Sequence, residues 1–175
     1  GSHVMYQVAF RALGVIDAQQ PTHALDIAYL CHFRSRRAGP RVAIASISGA
    51  MGAMLTDMMS DLKIQLPQLT QETQARLKRD GPSMPMVANP IDMTGHIANK
   101  EGMAAELLAA LRDDASIDVV VVYCMGSWLD RMTDDLVHEA AQRPRLTVVI
   151  DTGEATRRAE LEAAGIPVFT DVARA

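Results

Sequence analysis

The chain has 175 residues, 49% of them hydrophobic and 22% charged, with 17 Lys and Arg against 21 Asp and Glu for a formal net charge of -4. That profile excludes a disordered chain, and its mild acidity gives no electrostatic reason to bind nucleic acid or an anionic membrane. The length fits one domain or one domain with a small appendage, and no apolar run approaches the roughly 18 residues of a membrane-spanning helix.

In chain order, Gly1-Ser2-His3 reads as the remnant of an affinity tag, so residues 1–3 are set apart from the natural sequence. Residues 4–20 are expected to form an N-terminal helix and linker continuing from an upstream segment, with residues 21–175 as the main domain. Both ends read as cut, as in a domain excised from a larger protein. The basic run Arg34, Arg36, Arg37 and Arg41 is the solvated end of a helix. Cys31 and Cys124 form no C-x-x-C or Cys/His cluster, which predicts ordinary thiols, no metal site and a reducing, cytoplasmic setting.

Val42-Ala43-Ile44-Ala45, Ile117 to Tyr123 and Leu146 to Ile150 are nearly continuous apolar runs of strand length, the pattern of parallel strands covered on both faces. Ile166-Pro167-Val168-Phe169 reads as a short edge strand, since Pro167 cannot donate to a ladder. Between these runs, Met51, Met54, Leu55, Met58, Met59 and Leu62 recur at helical spacing and share one face, and Met103, Leu107, Leu108 and Leu111 repeat the device, as do Met132, Leu136, Val137, Ala140 and Ala141. Thr70 caps a further helix running through Arg79, with Glu72 suiting the dipole of its first turn. Strand and helix alternation predicts an α/β fold: a flavodoxin-like, open, mostly parallel five-stranded sheet of order 2-1-3-4-5 with helices on both faces. Ligands of such sheets gather beyond the carboxyl ends of the strands.

Four loops lie there. Ser46-Ile47-Ser48-Gly49-Ala50-Met51-Gly52 opens the methionine-faced helix; its small residues, its hydroxyls and the helix N-terminus suit a phosphate, and it reads equally as a tight turn with Ser48 as N-cap. No Lys follows the glycines, which excludes a Walker loop, and Gly49-x-x-Gly52 is not the dinucleotide fingerprint. Asn89-Pro90-Ile91-Asp92-Met93-Thr94-Gly95-His96 presents polar groups after an extended Asn89, as a functional loop or as an Asx-turn. His96, without a sequence partner, reads as solvated. In Cys124-Met125-Gly126-Ser127-Trp128, the indole either covers a bound group or packs the loop onto the sheet. Asp151-Thr152-Gly153-Glu154 reads as a helix entrance with Asp151 or Thr152 as cap and no chemistry.

Taken together, Ser48-Gly49-Ala50-Met51-Gly52, Leu66-Pro67, Thr70 to Leu77, Asn89-Pro90-Ile91-Asp92-Met93-Thr94-Gly95 and Ala164-Gly165-Ile166-Pro167-Val168-Phe169 resemble the NDP-forming acyl-CoA synthetases, the superfamily of succinyl-CoA synthetase and ADP-forming acetyl-CoA synthetase. The resemblance runs from Phe10, in an AFR-x-x-GVI stretch, to the end of the chain, and is to the second of two flavodoxin-like ligase domains. It implies an acid-thiol ligase in which a phosphohistidine meets the N-termini of two helices, one of them the Met51 to Leu62 helix. Ser46, Ser48, Gly49, Ala50 and Met51 would then contact the phosphoryl group, with Asn89, Asp92, Thr94, Gly95, Cys124 and Gly126 on supporting loops. The family's phosphorylated histidine lies in a stretch before the AFR-x-x-GVI region, so the resemblance places no catalytic residue in this chain and implies that it is inactive alone. The family's usual second glycine is Ala50 here. By the same resemblance the domain alone binds no cofactor, while the full-length protein uses ATP or ADP, Mg and CoA. Its expected partners are the CoA-binding, first ligase and ATP-grasp domains of the same protein and a small-molecule acyl-CoA, in a homo-oligomer. The alternative is a degenerate synthetase module that regulates a fused protein acetyltransferase.

Overall fold

The computed structural model describes residues 2–33, 38–80, 87–94, 97, 102–142 and 145–175. The chain divides into two compact units, Gly1–His32 and Phe33–Ala175. The first holds α1 (His3–Leu13) and α2 (Pro21–His32). Gly14 ends α1 in the left-handed region at φ 67, where its N–H donates to the Arg11 carbonyl and that of Val15 to the Phe10 carbonyl, satisfying carbonyls the helix end leaves bare. No residue of α1 is buried. The helix over Pro21–His32, which the sequence reading counts with the main domain, falls in this first unit.

The second unit runs β1 (Val42–Ser46), α3 (Gly49–Asp61), α4 (Gln71–Asp80), β2 (Ile91–Asp92), α5 (Met103–Asp113), β3 (Val119–Cys124), α6 (Ser127–Gln142), β4 (Leu146–Asp151), α7 (Arg158–Ala163) and β5 (Val168–Phe169), closing on a 3-10 turn at Val172–Arg174. All five strands pair in parallel, in the order β2-β1-β3-β4-β5. The flavodoxin-like α/β expectation is therefore met, including the edge position of Val168–Phe169. The other edge strand, Ile91–Asp92, lies inside what the sequence reads as a loop. Two residues carry too little hydrophobic pattern to announce a strand, and this pair is defined by its register with Ala45 and Ser46.

Successive side chains of a strand point to opposite faces, and β3 shows both surroundings. Val120 faces Leu108 of α5 and Leu136 of α6, whereas Val121 shares a cavity with Leu55, Met58 and Met59 of α3. The larger core is on the α5 and α6 side, where Leu77, Leu107, Leu111, Leu129, Met132, Leu136 and Leu161 are almost completely buried. On the α3 side the six-residue apolar stripe is only partly used. Leu55 is buried and Met58 and Met59 are half-buried, but Met54 and Leu62 are 41% and 71% exposed.

The predicted cap of α4 is in place: Thr73 N–H donates to Thr70 Oγ1 at 3.2 Å. Thr70 is in turn held from a distance, its N–H and hydroxyl donating to Asp114 Oδ2 at 2.9 and 3.2 Å just past the end of α5. Arg41, the described member of the basic run, forks onto Asp118, with Nε 2.9 Å from Oδ2 and Nη2 2.7 Å from Oδ1. Arg34, Arg36 and Arg37 lie outside the described residues.

Candidate functional site

The carboxyl ends of β2, β1, β3 and β4 place four loops along one rim of the sheet. From β1 the chain passes Ile47, whose N–H donates to the Tyr123 carbonyl, and enters α3 through Ser48. Ser48 has extended dihedrals (φ -131, ψ 117) and accepts the Met51 N–H at 3.4 Å, so it is the N-cap of α3. Ser46 is fully buried; its hydroxyl donates to the Ser48 carbonyl at 2.7 Å and accepts the Ser48 N–H at 3.1 Å. The Ser46 hydroxyl and the Met51 amide are therefore engaged within the turn. Gly49 and Ala50 are solvent-exposed, and among the described residues their amides meet no protein acceptor. Of the five expected donors, the turn thus offers an anion the amides of Gly49 and Ala50 and the Ser48 hydroxyl proton, at the positive end of a 13-residue helix.

The Asn89 loop lies against this turn. Pro90 Cβ and Ser46 Cβ are each 3.6 Å from the point where Gly52 would carry a β-carbon, so the bare Gly52 backbone packs α3 onto β1 and Pro90. Asn89 itself is buried and serves the scaffold: its Oδ1 accepts the Ile44 N–H at 3.0 Å, and its Nδ2 donates to the Val42 and Pro67 carbonyls at 2.7 and 3.0 Å. The side-chain amide thereby continues the ladder along β1 until β2 begins. The Asn89–Pro90 peptide is cis. Asp92 Oδ1 accepts the Thr94 N–H at 3.0 Å, forming an Asx-turn, and its Oδ2 lies 3.0 Å from a β-carbon placed on Gly49. Gly95 and His96 lie outside the described residues.

The loops after β3 and β4 are locked to each other. Asp151, which ends β4, accepts the Gly126 and Gly153 N–H groups on Oδ1 at 2.8 and 3.0 Å and the Ala155 N–H on Oδ2 at 2.6 Å. Gly126 sits at φ 47, and a β-carbon there would stand 2.4 Å from the Gly153 carbonyl oxygen, so only glycine fits. Reading Asp151 as a helix cap is corrected accordingly. α7 begins only at Arg158, behind an N-cap residue, Arg157, that makes no side-chain cap bond, and the carboxylate organises the loop instead. Trp128 packs against the core cluster with the Arg131 guanidinium 5.6 Å from its ring centre, the packing alternative of the two in the sequence. Cys124 is fully buried, and burial pushes its thiol up to about 12 against a weaker lowering by the Met125 backbone, so it stands as a neutral core group behind the rim.

Two features of the rim have no sequence signal. The Tyr123 and Thr152 hydroxyls pair at 2.9 Å, which a terminal strand tyrosine does not announce, and Asp92 reaches Gly49 only because their strands are neighbours. Among the described residues, no group of three or more His, Cys, Asp or Glu side chains is placed to hold a metal ion, and no helix is long and apolar enough to cross a membrane.

No family model matches the chain. Over its whole length it is 30% identical to an ADP-forming acetate–CoA ligase I of Archaeoglobus fulgidus and 27% identical to the alpha subunit of an ADP-forming acetate–CoA ligase I of Pyrococcus furiosus. It spans 25% and 39% of those two relatives. In three dimensions it is similar to a protein of Pyrococcus horikoshii, with a TM-score of 0.82 and 23% identity over 99% of this chain and 42% of that one. It is also similar to an acetyl-coenzyme A synthetase 1 from Ca. Korarchaeum cryptofilum in complex with phosphate and ADP, with a TM-score of 0.79 and 20% identity over 99% of this chain and 39% of that one.

Proposed function

We propose that this chain, a member of the ADP-forming acetyl-CoA synthetase family, is the second flavodoxin-like ligase domain of an acid-thiol ligase, where it stabilises a phosphohistidine supplied by another segment. The observation that carries this reading is the pair of exposed amides of Gly49 and Ala50 at the start of α3, which meet no acceptor among the described residues, on the rim where such sheets bind ligands. A phosphoryl group on imidazole carries up to two negative charges and three acceptor oxygens. Preorganised N–H donors and the helix end answer both, and their alignment is fixed before the group arrives. Ser48 caps the helix and keeps a hydroxyl proton for the same group. Asp151 and Asn89 act at one remove, holding the loops that frame the rim.

In the full-length protein, ATP or ADP, Mg and CoA supply the phosphoryl and thiol chemistry and are bound by the CoA-binding, first ligase and ATP-grasp domains, in a cytoplasmic homo-oligomer acting on a small-molecule acyl-CoA. This chain contributes amides, a helix end and a shaped turn.

Ser48→Asp in the full-length protein is the test. Asp is as good an N-cap as Ser, so the fold is retained, while a fixed carboxylate now stands where the phosphoryl group must go. Acid-labile histidine phosphorylation from labelled ATP should fall at least roughly tenfold with little change in melting temperature. Unchanged phosphorylation would overturn the role of the turn. Absence of any phosphohistidine in the native full-length protein would favour the module that regulates a fused acetyltransferase.

A further inference from the structure

The chain brings a negative charge of its own to the mouth of α3. Asp92 ends β2 directly opposite Ser46 on β1, and neighbours in register share a face of the sheet. Ser46 lies on the face α3 covers, since its Cβ is 3.6 Å from a β-carbon built on Gly52. The Asp92 carboxylate is therefore on that face too, beside the first turn of the helix. Its Oδ1 is anchored by the Thr94 N–H at 3.0 Å, and its Oδ2, for which no protein donor is seen among the described residues, lies 3.0 Å from a β-carbon placed on Gly49. Gly49 is the first residue of α3, and its amide is one of the two that meet no acceptor among the described residues.

A carboxylate at that end of a helix is favoured by the same partial charge that favours a phosphate, and it repels a second anion at close range. We propose that Asp92 is a resident anion of the α3 mouth, competing with a phosphoryl group for the helix end and limiting how tightly that group is held; this rests on the phosphoryl-binding reading above. The physical advantage lies in release. A phosphoryl group that must be handed on is held less tightly beside a carboxylate that repels it, and water solvates the exposed amides it leaves. Gly49 belongs to the arrangement, because any larger residue would press on Oδ2.

The experiment titrates inorganic phosphate into the isotopically labelled chain at constant ionic strength and follows the Gly49 and Ala50 amide resonances, in the native protein and in Asp92→Asn. Asn is nearly isosteric, and its oxygen still accepts the Thr94 N–H, so the turn is kept. Both amides should shift saturably in both proteins, with the variant binding phosphate about fivefold or more tightly. Equal or weaker binding by the variant, with the amides still responding, overturns the role of Asp92 and leaves the phosphoryl site standing. No saturable shift at either amide in either protein overturns both.

Discussion

Asn89 shows how a motif residue divides its meaning between site and scaffold. All three of its hydrogen bonds go to backbone groups, two of them on β1, and the residue is 8% exposed. Asn89→Ala leaves the Ile44 N–H and two carbonyls without their partner in a dry setting and should cost about 2–4 kcal/mol, read as a lower urea midpoint at unchanged m-value. A loss below about 0.5 kcal/mol would mean that water replaces the amide. Asp92, two strand positions beyond Pro90, has the opposite character, with one oxygen committed to Thr94 and the other turned towards Gly49. In the sequence both are simply polar residues flanking Pro90. The distinction arises because Asn89 lies alongside β1 before β2 starts, whereas Asp92 is already paired at the rim.

At the scale of elements, Asp114 joins the end of α5 to the start of α4. Burial pushes its carboxyl up, but hydrogen bonds from Ser116, Thr70 and Thr73 outweigh burial and hold it below the usual carboxylate range. A carboxyl depressed in the folded state stabilises the fold above its unfolded value near pH 4 and loses that contribution as the pH falls through the folded value. Asp114→Asn should therefore be less stable than the native chain at neutral pH, and the gap between them should narrow as the solution is taken from about pH 5 to about pH 3. Urea midpoints across that range check it; a constant gap would remove Asp114 from the acid response. α3 teaches a different point. Its apolar spacing is legible, yet Leu55 is the one large side chain of the stripe that is fully buried, because spacing names a face while the breadth of the contact depends on what lies opposite. Thr70 and Ser48 were legible as caps, since capping is a local bargain between a side chain and amides two or three residues on.

For the whole molecule, the two units differ in what protects them. β1, β3 and β4 form the buried centre of the sheet, with Ala43, Ile44, Val122 and Val149 fully inaccessible, while α1 has no buried residue and exposes Val4, Met5, Tyr6, Val8 and Leu13. An 11-residue helix without buried contacts is marginal in water. Amide hydrogen exchange should thus be fast throughout α1 and, for Ile44, Val121 and Val149, should require global unfolding. Protection of α1 equal to that of β3 would show that it is held by association between chains, and would rise with protein concentration.

The amino-acid sequence by itself determined the layered α/β architecture, the strands at Val42, Val119, Leu146 and Val168 and the caps at Ser48 and Thr70, because continuous β-branched runs, helical spacing and polar residues before helices act over short stretches of chain. The resemblance carried by the Ser48 and Asn89 stretches likewise rested on residue order alone. Only the tertiary structure decided that Ile91–Asp92 is the edge strand, that Asp151 ties the loops after β3 and β4 together, and that Asp92 reaches the first glycine of α3. Each of these depends on parallel register between segments dozens of residues apart, and no local preference encodes which backbone amide a distant carboxylate will meet.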